Sequence, residues 1–265
     1  MQYTLGFIGC GNMGGALAKA AASAVGGEHI ALCDHNEEKT SALAKQTGAQ
    51  SVHALQLVEN AHFIVLGVKP QTMQTAIAEI RERLLTRNDF VLITMAAGIS
   101  IEGLRAYVGK DVPVIRMMPN TPSQIGQGVI LYDCKDVSQA DEALFLQAFS
   151  KAGVLDRLEE SLIDAAAGVS GSGPAFVYAF AQSLAQGAIK LGVPKEKAEK
   201  YAAYTLRGAA DMLLTFQDAE SLKRAVCSPG GTTLAGLAAM EENCFSLAVE
   251  SGVEAAYKRT LELKK

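Results

Sequence analysis

Along the first 160 residues, short unbroken apolar runs alternate with stretches whose apolar positions recur every three or four residues. The runs are Tyr3–Ile8, Ile30–Cys33, Phe63–Val68, Phe90–Met95, Val114–Met117 and Gly128–Tyr132, each about as long as a strand. Between them, Met13–Ala24, Glu37–Thr47, Met73–Leu85 and Gln139–Lys151 carry the helical period. Apolar strands without polar alternation belong in a sheet covered on both faces. Regular alternation with helices makes that sheet parallel. The expected fold class is α/β, with an N-terminal doubly wound parallel sheet.

Beyond residue 160 the pattern changes. Val and Ile together number 23 in residues 1–160 and 8 in 161–265, while Ala supplies 21 of the last 105 residues. Strand formers are lost and helix is favoured. The spacing predicts helices over Ser161–Gly168, Pro174–Leu191, Lys195–Phe216, Ala219–Val226, Thr232–Cys244 and Phe245–Leu263, with Gly192-Val193-Pro194 as a stop. Two domains are expected, 1–160 and an all-helical 161–265. In Pro174–Leu191, the residues Ala175, Val177, Ala179, Phe180, Leu184, Ala188 and Leu191 cover more than one helix face. Such a helix wants burial on most sides. A helical half this small does not supply that alone. A homodimer through it is expected, with Ala188 at the interface; packing on the first domain alone is the alternative.

Composition narrows the classes. Hydrophobic residues make up 49% and charged residues 20%, which is globular rather than disordered. No apolar run is long enough to span a bilayer, so no membrane role is expected. A net charge of −4 argues against a nucleic-acid partner. The five cysteines are odd in number and form no CxxC pair, so neither disulfides nor a metal site is expected and a reducing cytoplasm is the expected home. The strand-like run from Tyr3 leads straight into a glycine loop, so no cleaved leader is expected.

That loop, Gly9-Cys10-Gly11-Asn12-Met13-Gly14, lies between a strand and a helix. Gly9 permits the tight turn, Gly11 lets the backbone approach a pyrophosphate, and Gly14 lets helix and strand pack closely. The helix N-terminus then faces the phosphates, and Ile8 leads into them. In its strand–turn–helix context the pattern marks a dinucleotide site. Asp34 stands twenty residues past Gly14, where an acidic residue bonds the adenosine ribose hydroxyls of NAD; capping of the next helix is the other reading. No arginine is nearby to clamp the 2′-phosphate of NADP, and His35, Asn36 and Lys39 are weaker substitutes. The choice between NAD and NADP stays open.

Further strings follow predicted strands: Val68-Lys69-Pro70-Gln71, Ala96-Ala97-Gly98-Ile99-Ser100 and Met118-Pro119-Asn120-Thr121-Pro122. Loops at the carboxyl ends of strands form the ligand crevice of an open α/β sheet. Lys69 is a candidate for the cofactor's ribose or phosphates, and Asn120 for the nicotinamide carboxamide. Later in the chain, Ser228-Pro229-Gly230-Gly231-Thr232-Thr233 opens an alanine-rich helix. Glycine N–H groups at a helix start make a carboxylate site, and the two threonine hydroxyls add donors. Thr232 as a plain N-cap is the alternative.

Together with Ser170-Gly171-Ser172-Gly173-Pro174-Ala175, these strings resemble the Δ1-pyrroline-5-carboxylate reductase family over essentially the whole chain. The resemblance implies a Rossmann-type domain, then a helical domain interlocked in a dimer, with dimers that often assemble further. It implies reduction of a cyclic imine to L-proline with NADPH or NADH. It also implies that Val68, Pro70, Ala96, Ala97 and Gly98 border the cofactor, that Ser172–Pro174 lines the cleft, and that Thr233 hydrogen-bonds the substrate as the catalytic candidate. Asp34 is a departure, since many members carry a small polar residue or an Asn-Arg pair there. A rival is the β-hydroxyacid dehydrogenase type, whose lysine and following asparagine on the helix after a glycine-rich turn are absent from Pro174–Ala181. A deazaflavin-dependent NADP reductase shares the glycine-loop pattern but would not need the Ser228–Thr233 segment or the long helical half. A non-catalytic dinucleotide sensor has no use for the second glycine pair.

Overall fold

The central strands are apolar on both faces, and both faces are buried. Leu5, Phe7, Phe63, Val65, Val91 and Ile93 fill one side of the sheet. Ile8, Ile64, Leu66, Leu92 and Val114 fill the other. The computed structural model describes residues 2–262. In chain order the first elements are β1 (Tyr3–Ile8), α1 (Asn12–Val25), β2 (Ile30–Cys33), α2 (Glu37–Thr47), β3 (Gln50–Ser51), α3 (Ala54–Asn60), β4 (Ala61–Leu66) and α4 (Pro70–Thr86). Then come β5 (Val91–Thr94), α5 (Ile101–Val108), β6 (Val114–Met118), β7 (Gly128–Lys135), α6 (Gln139–Phe149), β8 (Gly153–Arg157) and α7 (Glu160–Ser170). They form an eight-stranded sheet in the order β3-β2-β1-β4-β5-β6-β7-β8.

Four of these elements carried no usable pattern. β3 is two exposed residues, and β8 exposes three of its five. The short helices α3 and α5 span fewer residues than a periodic window needs. The sheet departs from all-parallel at one place, where β6 and β7 pair antiparallel with Ile115 opposite Cys134. The intervening stretch, 119–127, is shorter than the dozen or so residues a parallel crossover requires.

By packing, residues 2–171 with 256–262 form one unit and 172–255 another. α7 belongs to the first, anchored by Arg116 on β6, which is 2% exposed. The Arg116 guanidinium lies 2.5 Å from Asp164 and 3.4 Å from Glu160, both on α7. Glu160 in turn accepts the Ile101 N–H at the start of α5, 2.8 Å away.

The second unit contains α8 (Gly173–Lys190), α9 (Lys195–Phe216), α10 (Ala219–Ala225), α11 (Thr232–Glu242) and α12 (Phe245–Glu262) as far as residue 255. Leu263, expected in the last helix, lies outside the described residues. Ala185, Ala198 and Ala202 make a small-residue seam between α8 and α9. Ala188, expected at the dimer interface, is half-buried in the single chain and packs against this seam. Large apolar side chains stay open in the single chain: Leu184 is 43% exposed, Val177 49% and Leu214 77%. Phe176, Phe180, Leu184, Met240, Phe245 and Val249 line an apolar groove of about 610 Å³. Among the described residues no helix is long and apolar enough to cross a membrane.

Candidate dinucleotide and substrate sites

The strand order reverses direction at β1, so the crevice beside its carboxyl end is where an open sheet takes a ligand. The glycine loop occupies that place. Gly9 has φ 96°, and a Cβ there would stand 2.7 Å from the Gly67 carbonyl. A Cβ on Gly14 would overlap the Gly9 oxygen, whereas one on Gly11 would meet nothing within 4 Å. Gly11 is the extended N-cap of α1 and supplies no side-chain cap. The first-turn N–H groups are left without a side-chain partner, as an anion site requires. Cys10, Gly11, Asn12, Lys19, Lys39 and Gln124 border a cavity of about 450 Å³ beside this turn.

The other loop residues are support. Ile8 and Cys10 are buried, and Met13 packs on the core. Burial, with the Asp34 charge behind it, pushes the Cys10 thiol up to about 12, so it is no nucleophile. Sequence reading missed Gly67. A Cβ there would overlap the Gly9 oxygen, so β1 and β4 pass backbone to backbone just beyond their ends. The signal was a glycine directly after the apolar run Phe63–Leu66.

Asp34 follows β2 with only 6% of its side chain exposed. Its Oδ2 accepts the Cys10 N–H at 2.7 Å and its Oδ1 the Asn36 N–H at 3.0 Å. His35 Nδ1 lies 2.9 Å from Oδ1. The helix cap is Asn36, whose side chain accepts from Lys39 N at 3.0 Å, so the reading of Asp34 as that cap is corrected. Burial drives the Asp34 carboxyl up, but the N–H groups of Asn36 and Cys10, with His35 and Lys39, hold it below the ordinary range.

Three further loops leave the same edge, because Ile8 pairs with Leu66, Leu66 with Thr94, and Thr94 with Arg116. Val68 is half-buried, Lys69 is exposed at the start of α4, and Pro70 is in its first turn. Ala96 is buried, with its N–H 3.3 Å from Thr94 Oγ1. Ala97 and Gly98 are half-buried, and Gly98 takes φ 78°. Asn120 is 7% exposed and engaged at both ends of its amide. Nδ2 donates to the Ser170 carbonyl and Oδ1 accepts the Val129 N–H, each at 2.9 Å. Sequence reading also missed the Arg116 ion pair, whose signal was one arginine inside an apolar strand.

In the second unit, Gly231 is the N-cap of α11, so Thr232 is the first helical residue rather than the cap. Gly231 N donates to Ser228 O at 2.9 Å, and Gly230 takes φ 68° with open space where a Cβ would be. Ser228, Gly230, Thr232 and Thr233 are all exposed in this unit. The result is an uncapped helix start flanked by three hydroxyl groups, a fit for a small carboxylate. At the other helix start, Ser172 is the N-cap of α8 and Pro174 lies in its first turn.

Residues 160–263 match the family model for pyrroline-5-carboxylate reductase dimerisation. Residues 4–98 match the model for NADP oxidoreductase, coenzyme F420-dependent. The Escherichia coli pyrroline-5-carboxylate reductase is 34% identical over 270 residues, covering 100% of both chains. Pyrroline-5-carboxylate reductase 3 of Danio rerio is 35% identical, covering 99% of this chain and 92% of that one. Among solved structures, Plasmodium falciparum pyrroline carboxylate reductase with NADP bound superposes with a TM-score of 0.89 at 30% identity, over 100% of each chain. A 3-hydroxyisobutyrate dehydrogenase from Mycobacterium tuberculosis, of the rival type, reaches a TM-score of 0.51 at 12% identity, a likeness of fold alone. Sequence kinship along the entire length, with the dimerisation model matched over the helical half, places the chain in the pyrroline-5-carboxylate reductase family.

Proposed function

We propose that this chain reduces 1-pyrroline-5-carboxylate to L-proline with NADH or NADPH, the last step of proline biosynthesis. The observation that carries the reading is two anion-ready helix starts, at α1 and α11, in a chain related to such reductases over its full length. The nicotinamide supplies the hydride when bound. Everything else falls to the protein. Ile8–Gly14 turns around the pyrophosphate, with the N–H groups after Gly11 facing it and Asp34 toward the ribose. Val68, Lys69, Pro70 and Ala96–Gly98 border the nicotinamide arm. Asn120 stiffens the loop beside it through its two buried bonds.

Ser228, Gly230, Gly231 and Thr232 hold the substrate carboxylate at the positive end of α11. Thr233 bonds the ring nitrogen or a water that protonates it. The ring C=N carbon takes the hydride and the nitrogen takes the proton. Protonated imines attract hydride without a protein nucleophile, in keeping with the lack of any histidine after His62. The working unit is a cytoplasmic homodimer joined through the helical half, in which the open apolar side chains of α8 and α9 are covered. The test is loss of reduced-nicotinamide absorbance on adding racemic pyrroline-5-carboxylate, with proline as product. Dinucleotide binding without turnover would instead support a sensor.

A further inference from the structure

We propose that Asp34 makes this enzyme NADH-preferring by holding a fixed carboxylate where NADPH carries its 2′-phosphate. The inference rests on the proposed dinucleotide site and goes beyond it to the choice of dinucleotide. In a sheet of this order the adenosine ribose lies at the end of β2, where an acidic side chain receives its 2′-hydroxyl. Asp34 is the residue directly after β2. Its two oxygens each accept one backbone N–H, from Cys10 and Asn36; Oδ1 also faces His35 Nδ1, and Oδ2 keeps a further lone pair for a hydroxyl donor.

Those same bonds pin the carboxylate against the glycine loop, with 6% of the side chain exposed, so it cannot swing aside for a phosphate. A hydroxyl donates to it; a phosphate dianion is repelled by it. The surroundings do not offset the repulsion. Glu37 and Glu38 stand in the first turn of α2, against Lys39 as the one ammonium of that turn. No arginine occurs before Arg81. His35 already lies against Asp34 and its side chain is 94% exposed. Lys39 is exposed and borders the cavity beside Gly11, where the pyrophosphate itself competes for it.

The first measurement needs no variant: equilibrium binding of NADH and NADPH to the intact protein without imine, and competition by 5′-ADP and 2′,5′-ADP. NADH and 5′-ADP should bind tighter by about tenfold or more, which corresponds to ~1.4 kcal/mol. Equal or tighter binding of NADPH and 2′,5′-ADP would overturn the assignment. The second uses Asp34→Asn, which keeps the shape and removes the charge. The NADH preference should shrink by about tenfold, the NADH-to-NADPH ratio of kcat/KM falling and that of Kd rising by that factor. Equal weakening of both dinucleotides would show Asp34 to be a loop fastener only and would also overturn it. A clear NADH preference in binding with no imine reduction would leave Asp34 standing and sink the proposed reaction instead.

Discussion

A single methyl group separates the roles of Gly11 and Gly14. On Gly14 it would collide with the Gly9 backbone, and on Gly11 it would enter open space. Gly14→Ala should therefore destabilise the fold by about 1–3 kcal/mol in urea unfolding, the usual cost of overpacking. Gly11→Val should fold and melt like the parent yet lose NADH and NADPH binding by calorimetry; retained binding would remove the loop from the cofactor site. With Thr233 in the proposed substrate role, Thr233→Ala removes one bond to a charged ligand, worth ~1.5–3 kcal/mol. Its kcat/KM for the imine should fall roughly tenfold to a hundredfold while dinucleotide Kd holds. Unchanged kcat/KM would exclude Thr233 from the site. Both glycine positions could be read from a string of six letters. The fixed orientation of Asp34 could not, because its partners Cys10 and Asn36 are set by how β1 and β2 lie side by side.

Elements are tied by side chains that reach across them. α7 is held to β6 by the buried Arg116–Asp164 pair, both 2% exposed. Asp164→Ala leaves the guanidinium without that partner, and breaking such a pair costs about 3–5 kcal/mol. Arg116→Met with Asp164→Leu should recover much of the loss, as judged by denaturant midpoints. Another tie joins β4 to α6, where His62 Nε2 lies 2.6 Å from Asp141 Oδ1. Burial raises the Asp141 carboxyl, but bonds from Ser138 and His62 prevail and lower it. A depressed folded-state value means its stabilisation is complete above the unfolded pKa, about 3.9. It is then lost as pH drops through the folded value. Asp141→Asn should flatten the acid limb of a stability–pH curve; an unaltered limb would show that the tie contributes nothing. Arg116 was visible as an oddity in an apolar strand, yet its partner lies 48 residues away, beyond any local pattern.

At the scale of the whole molecule, the second unit buries little beyond alanines while Leu184, Val177 and Leu214 remain open. Patches of this kind mark an interface, and obligate ones bury about 2,000 Å² or more. The melting temperature of the proposed homodimer should rise with protomer concentration. Leu184→Glu should yield a monomer by sedimentation, with activity lost alongside assembly. A fully active wild-type monomer at micromolar concentration would refute the dimer. Ala188 is unsuited to this test, because a charge there would break the α8–α9 seam itself.

The sequence alone determined the class of fold and the two helix starts. Long apolar runs, helical periods and glycine pairs act within a turn or two of backbone, where a local pattern is sufficient. Tertiary structure decided what distant residues do to one another. It turned Asp34 onto Cys10, brought Gly67 against Gly9, engaged both ends of Asn120, and packed Ala188 against the α8–α9 seam. Hydrogen bonds and close packing are settled by whichever groups arrive together in space. Residues such as Asn120 and Ser170, fifty positions apart, have no shared pattern until the chain has folded.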